Sequence, residues 1–294
     1  MSTPSFTNLP HAFTVDVEDW FHIMDCKQMP LPERYASYEA RVVRNTERIL
    51  EVLGANAVKA TFFFLGWVAE QNPRLVRRVA DAGHEIGVHG FHHVPAYEMS
   101  DDDLRHDTFK AVEVVGEAAG KAPVGYRSPG GTLLSRQAWI FDELLGLGIW
   151  FDSSVYPRSG MLMNDPYPER PFRLATPGGS HIWEFPSVTH DWLGMKWAFG
   201  EGGYLRLLPR WKIQRWFADR QREGGMGMVC IHPRELDPDQ PRLPLTLFKQ
   251  WKTQVGMASV REKLVHLLSN HQFCPMGECL FQYEKQLVEK GFAG

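Results

Sequence analysis

Residues 59–93 read KATFFFLGWVAEQNPRLVRRVADAGHEIGVHGFHH, and the order of signals within them decides the fold. The apolar run Lys59–Leu65 holds three successive phenylalanines, the pattern of a strand covered on both faces in a parallel sheet. Asn72-Pro73 offers a cap followed by proline at the first helical position, and Gly83 stands where such a helix stops. Glu85–His89 is the next strand. Strand, helix and strand therefore follow one another within one short stretch.

The same rhythm extends outward. His11–Val17 alternates and enters a strand. Tyr38–Leu53 places Val42, Thr46, Ile49, Leu50 and Leu53 at helical spacing. Ser100 and Asp103 form a capping box that opens a helix to about Glu117. Val124–Arg127 reads as a strand, Ser135–Leu147 as a helix and Ile149–Asp152 as a strand. Residues 153–203 break the pattern, being rich in Pro, Gly, Trp and Tyr. Within this aromatic-rich insertion only Phe172–Leu174 and His181–Val188 look extended, as a hairpin through Pro177-Gly178-Gly179. A helix at Tyr204–Glu223, the strand Met226–Ile231 and a helical pattern at Val260–Leu268 complete the chain. Seven or eight strands, most followed by a helix and none by a Gly-x-Gly-x-x-Gly turn, predict an α/β fold. The expected form is a distorted (β/α) barrel rather than an open nucleotide-binding sheet. The expected division is a barrel over residues 1–235, insertion included, and a C-terminal extension over 236–294 packed on it.

Composition agrees with a folded globular chain. Of 294 residues, 44% are hydrophobic and 23% charged, and a chain of this length buries about 75% of its unfolded surface. The formal charge of −3 comes without a concentrated basic face, which argues against nucleic-acid binding. No run of 18 apolar residues exists, so no transmembrane helix is expected. The first ten residues lack the basic flank and apolar run of a signal peptide, and this predicts a cytoplasmic protein. Cys26, Cys230, Cys274 and Cys279 fit that compartment as free thiols in ordinary core or surface positions. Cys274 and Cys279 have no second pair to complete a zinc site.

In a barrel of parallel strands, reactive residues gather at the carboxyl ends of the strands. Those ends carry Asp16-Val17-Glu18-Asp19, then His89-Gly90-Phe91-His92-His93, then Arg127-Ser128-Pro129-Gly130-Gly131, then Asp152, then His232-Pro233. His89 and His93, four apart, would sit on one side of a helical turn and grip one divalent ion. A carboxylate from the first strand would complete a set of three. Such an ion makes a water nucleophilic near neutral pH. Amide hydrolysis also needs a base and an acid. A carboxylate beside an arginine and an imidazole beside a carboxylate are pushed toward those opposite states.

This ordered set resembles the polysaccharide deacetylases of carbohydrate esterase family four, the NodB homology group. Thr-Val-Asp-Val-Glu-Asp is similar to the family's first motif, Gly-His-Glu-Ile-Gly-Val-His-Gly-Phe-His-His to its second and Arg-Ser-Pro-Gly-Gly to its third. Asp152-Ser153 resembles the fourth motif and Val229-Cys230-Ile231-His232 the fifth, so the likeness spans about Phe13–Pro233. Asp-Val-Glu-Asp-Trp, Tyr-Arg-Ser-Pro-Gly-Gly, Asp-Ser-Ser-Val-Tyr-Pro and His-Pro-Arg-Glu-Leu-Asp-Pro-Asp-Gln-Pro-Arg resemble one subgroup more closely. That subgroup accompanies exosortase (PEP-CTERM) exopolysaccharide loci and has a similar extra region after about Leu236.

The resemblance implies a metal-dependent hydrolase removing N-acetyl groups from amino sugars of a surface polysaccharide or its precursor. It implies Asp16 as general base and His89 and His93 as ligands of one divalent ion, zinc foremost, with cobalt, nickel or iron also suited. It implies Arg127 pairing with Asp16, His232 as general acid, Asp152 keeping His232 charged, and the Gly130 amide in the oxyanion site. Three departures stand out. Val17 replaces the second aspartate of the first motif, leaving Glu18 or Asp19 as the carboxylate ligand. Strand alternation favours Glu18, although a turn there keeps both open. Gly130 replaces an aromatic, and the fourth motif lacks its second aspartate and tryptophan. Trp150, Tyr156 or an aromatic of the insertion is then the candidate for the missing wall. Trp183, Trp192, Trp197 and Tyr204 are further candidates for stacking on sugar. His92 reads as exposed or behind the ligands, His84 as part of a turn and Glu184 as a solvated strand carboxylate. The run Trp211–Phe217 reads as an amphipathic helix face. Two alternatives remain: a cyclic amide or ureide hydrolase on the same barrel, and a non-catalytic carbohydrate-binding barrel.

Overall fold

The computed structural model describes residues 9–24, 30–156 and 168–292; Cys26 lies outside them. Its strands are β1 (His11–Val17), β2 (Thr61–Phe64), β3 (Glu85–Val88), β4 (Gly125–Tyr126), β5 (Phe151–Asp152), β6 (Phe172–Ala175), β7 (His181–Glu184), β8 (His190–Trp192), β9 (Met195–Trp197), β10 (Met228–Ile231) and β11 (Phe273–Cys274). Eight of them form a curled sheet in the order β10-β1-β2-β3-β4-β5-β7-β6, with β11 added beside the start of β1. All neighbours from β10 to β7 run parallel, and only the β6–β7 hairpin is antiparallel. This is the expected barrel-like α/β fold. At the β10 edge of the sheet, Gly200–Glu201 lies along the strand: Glu201 bridges to Cys230, and the Cys230 N–H donates to the Gly200 carbonyl.

The helices are α1 (Val42–Ala55), α2 (Gly66–Gln71), α3 (Pro73–Asp81), α4 (Asp101–Ala119), α5 (Ile140–Gly146), α6 (Gly202–Leu207), α7 (Arg210–Arg222), α8 (Leu247–Gln254), α9 (Val260–Asn270) and α10 (Met276–Glu289). Phe62, Phe63 and Phe64 are wholly buried, because sheet and helices cover both faces of β2; each such ring stabilises by roughly 1.5–3 kcal/mol. On α1 the buried residues Val42, Asn45, Thr46, Ile49, Val52 and Leu53 form one stripe. The Ser100 hydroxyl accepts from the Asp103 N–H, three aspartates fill the first turn of α4, and Gly120 ends it at φ 69°.

Some boundaries differ from expectation. Asn72 does not cap α3; its side-chain amide donates to the Val68 carbonyl instead. The helix expected over Tyr204–Glu223 is two helices, because Pro209 has no N–H to continue the ladder. The stretch from Ser135 opens as a 3-10 turn before α5. The insertion holds a second hairpin, β8–β9, whose turn residues Leu193 and Gly194 both take positive φ. Beyond residue 236 the chain rejoins the barrel. β11 pairs with β1. The first amides of α10 donate to Thr61 Oγ1 and Glu85 Oε1, so a carboxylate meets the positive end of the helix.

Candidate active site

β1 delivers two carboxylates to one point. The Glu18 N–H donates to the Asp16 carbonyl, a tight turn at the strand end that leaves Val17 in the core and keeps both acids on the cavity side. Glu18 Oε1 lies 3.2 Å from His93 Nε2, 3.4 Å from His89 Nε2 and 3.4 Å from His232 Nε2. Among the described residues, Glu18–His89–His93 and Asp16–Glu18–His232 are the groupings whose ligand atoms all fall within 4.8 Å of one another. All of these residues line one cavity of about 410 Å³.

Of the two candidate carboxylates, Glu18 is the one grouped with His89 and His93, and the Asp19 alternative does not fit this geometry. Asp19 turns away and accepts from the N–H groups of Trp20, Arg41 and Val42, closing the start of α1. The His89–His93 spacing also works differently from expectation. His89 follows β3 directly, and the residues from it to His93 form a loop rather than a helical turn. Gly90 (φ 68°) and His93 (φ 59°) reverse the chain so that the two rings face each other at 5.3 Å. A non-glycine residue at positive φ costs about 1–3 kcal/mol, and such strain collects at functional sites. His89 Nδ1 lies 2.7 Å from the Arg127 carbonyl. A carbonyl only accepts, so Nδ1 carries a proton, and Nε2 is the ring nitrogen that would meet a cation in the cavity. Two imidazoles and a carboxylate, all buried, with the outer nitrogen of one already satisfied, fit a divalent cation.

Asp16 is flanked as expected. Arg127 Nη1 donates to its Oδ1 at 2.6 Å, and Cys230 Sγ faces its Oδ2 at 3.4 Å. Burial alone would raise the Asp16 pKa, but Arg127, His89 and His232 outweigh it and hold the carboxyl below its ordinary range. Arg127 is in turn held by Ser153 and Thr14. Cys230 is a buried free thiol, and burial and Asp16 push its pKa well up, so it faces the Asp16 carboxylate in its protonated form.

The acid side requires a second correction. Asp152 does not support His232. It accepts from the backbone N–H and hydroxyl of Ser154 and is not part of the cavity lining. The carboxylates beside His232 are Glu18 and Glu235, the latter 3.7 Å from Nδ1. Burial lowers the His232 pKa, yet these two acids overcome it and raise it above the ordinary imidazole value. Glu235 went unassigned in the sequence, although its spacing of three from His232 is that of a capping box, and its carboxylate does accept from the His232 N–H. Glu184 is not solvated. It is fully buried opposite Asp152, and burial plus the facing carboxylate push its pKa well up, favouring the protonated form.

Gly130 lines the cavity with φ 58°. Tyr156 and Tyr204 stand at the walls, whereas Trp150, Trp183, Trp192 and Trp197 do not reach it. Trp192 and Trp197 instead pack with each other on the β8–β9 hairpin. His92 is half-exposed, its N–H donating to Asp107. His84 is buried in the turn before β3 and accepts from the Ala60 N–H. On α7, Trp211 is exposed while Ile213, Trp216 and Phe217 pack inward.

Residues 32–146 match the family model "Polysaccharide deacetylase" and residues 153–281 the model "Domain of unknown function (DUF3473)". A peptidoglycan-N-acetylglucosamine deacetylase of Bacillus cereus is 40% identical over 111 residues, which are 37% of this chain and 40% of that protein. The matched region thus spans well under half of this curated relative. In fold, a polysaccharide deacetylase described as putative, from Mycobacterium smegmatis, superposes with TM-score 0.64 at 21% identity, covering 97% of this chain and 93% of the other. The Puue allantoinase gives TM-score 0.62 at 15% identity over 97% and 94%. His89, His93, Arg127 and Gly130 fall inside the first matched segment, while His232 and Glu235 fall inside the second. Residues 32–146 are thus similar to the polysaccharide deacetylase family and residues 153–281 to the DUF3473 model, and both matched segments contribute side chains to the same cavity.

Proposed function

We propose that the protein is a metal-dependent hydrolase that removes N-acetyl groups from amino sugars of a surface polysaccharide or its precursor, with zinc as the cation. One observation carries the reading: a carboxylate from β1, two histidines after β3 and a histidine after β10 meet at Glu18 Oε1, next to the Asp16–Arg127 pair. Glu18, His89 and His93 would hold the cation. When bound there it supplies Lewis acidity toward water and the acetyl oxygen. Arg127 keeps Asp16 ionised, and Asp16 takes a proton from the attacking water. The Gly130 N–H donates to the acetyl oxygen as negative charge builds on it. His232, held protonated by its carboxylates, gives its Nε2 proton to the amine nitrogen as the C–N bond breaks, leaving acetate and a free amino sugar. The B. cereus relative's name and the subgroup likeness support an acetylated glycan as substrate.

The test is acetate release by metal-reconstituted protein from nucleotide-linked acetyl sugars, chitin and exopolysaccharide oligomers and peptidoglycan fragments, with allantoin alongside. Asp16→Asn is expected to keep stoichiometric metal and lose turnover by about 10²–10⁴-fold, and His89→Ala to lose both. Near wild-type turnover in Asp16→Asn would remove Asp16 as base. Ureide hydrolysis with an empty site would favour the cyclic amide alternative, and oligosaccharide binding without turnover the non-catalytic one.

A further inference from the structure

We propose that Arg234 and Lys252 form an anion subsite beside His232, so that the sugar deacetylated here bears a phosphate or carboxylate on the side of its leaving amine. The inference rests on the deacetylase reading above and adds to it the charge of the substrate.

Four long-chain cations line the cavity: Arg127, Arg206, Arg234 and Lys252. Two are matched, Arg127 by Asp16 at 2.6 Å and Arg206 by Glu235 at 3.0 Å. The cavity's acids are otherwise engaged: Glu18 faces three histidines, and Glu201 accepts from Ser187. Arg234 is left over. Its Nε and Nη1 are buried and have no hydrogen-bond partner among the described residues. Buried donors without acceptors are expensive and uncommon in native proteins. A guanidinium presents its donors as a planar fork that suits two oxygens of a carboxylate or phosphate.

Position identifies which part of the substrate the anion belongs to. Arg234 follows His232 by two residues, in the 3-10 turn Pro233–Leu236 that ends β10. His232 protonates the amine, so a group within reach of Arg234 belongs to the sugar and not to the acetyl. Lys252 approaches from α8, an exposed helix whose Lys252 carbonyl accepts from Arg206. From Gln240 to Arg261 the chain holds Arg242, Lys249, Lys252 and Arg261 and no acidic residue. Of these four cations Lys252 lines the cavity, where its charge adds to that of Arg234. Both residues belong to the DUF3473 match, so this gives that region a role in choosing the substrate.

Calorimetric binding of N-acetylglucosamine 1-phosphate, N-acetylmuramic acid and neutral N-acetylglucosamine tests the subsite without turnover. At least one anionic sugar should bind tenfold or more tightly than the neutral one, with that margin shrinking as salt rises. Arg234→Gln and the exposed Lys252→Gln should each cut the margin to threefold or less and leave neutral-sugar binding unchanged, while Arg234→Lys keeps part of it. A phosphate preference points to a nucleotide- or lipid-linked precursor, a carboxylate preference to an acidic glycan. Equal binding of all three sugars by the wild type, or an undiminished margin in folded Arg234→Gln and Lys252→Gln, overturns the proposal. Acetate release is read separately: anion-selective binding with no acetate from any substrate would end the deacetylase reading and leave the subsite standing.

Discussion

Replacing Glu235 with Gln isolates the electrostatic support of the proposed acid. Glu235 Oε1 stands 3.7 Å from His232 Nδ1 and 3.0 Å from Arg206 Nη1. A full unit charge at the first distance is worth about 4–5 kcal/mol at an effective dielectric constant near 20. Arg206 neutralises most of it, so the net hold on the imidazolium is about 1.4 kcal/mol, or roughly one pKa unit. The sign follows from the proton count. Glu235 favours protonated His232, so removing it lowers the His232 pKa, and the acid is lost at lower pH. The assay is the pH dependence of kcat/KM on one acetylated oligomer. The basic limb should move down by about one unit, with about tenfold less activity on the alkaline side and little change well below the limb. Gln keeps an oxygen for Arg206, and unfolding measurements verify that the fold survives. A basic limb that stays in place, or moves up, would refute the pairing of Glu235 with His232.

Other substitutions separate the remaining roles. Arg127→Met removes the cation that outweighs the burial of Asp16, so the acid limb of the same profile should shift upward. It should also cost about 3–5 kcal/mol on denaturant unfolding, because a buried charge is left unpaired. Asp19→Ala should cost about 2 kcal/mol of stability through the lost start of α1 and leave metal content unchanged, whereas Glu18→Ala should abolish metal uptake. Glu184→Gln should keep turnover. A carboxyl whose pKa is raised in the folded state stabilises below its unfolded pKa and loses that contribution as pH rises toward the folded value. The wild type should therefore lose stability as pH rises from the ordinary glutamate range, and the Gln variant should lose less; equal slopes would mean that Glu184 is ionised.

Much of the scaffold was legible because its signals are local. Three buried phenylalanines in β2, the Ser100 cap of α4 and the glycine turn between β6 and β7 each act within a few residues. What failed locally was competition from longer range. Pro209 split one expected helix, and the fourth-position histidine reached its partner through positive-φ backbone rather than through a helix. Short elements such as α2, β11 and the β8–β9 hairpin carry too little periodicity to stand out before their packing is known.

The candidate ligands, base and acid were marked in the sequence by residue type at strand ends, because a parallel α/β sheet brings those ends to one rim whatever the details. Their assignment among near-identical neighbours was not. Glu18 and Asp19 are adjacent carboxylates, and only the turn after β1 and the waiting amides of Arg41 and Val42 sent one to the cavity and the other to a helix start. Asp152 and Glu235 lie on different elements, and only the folded sheet put Glu235 beside His232 and Asp152 against Glu184. Side-chain chemistry is written residue by residue, but the partner that tunes each charge is set by distances across the sheet, which exist only once the chain has folded.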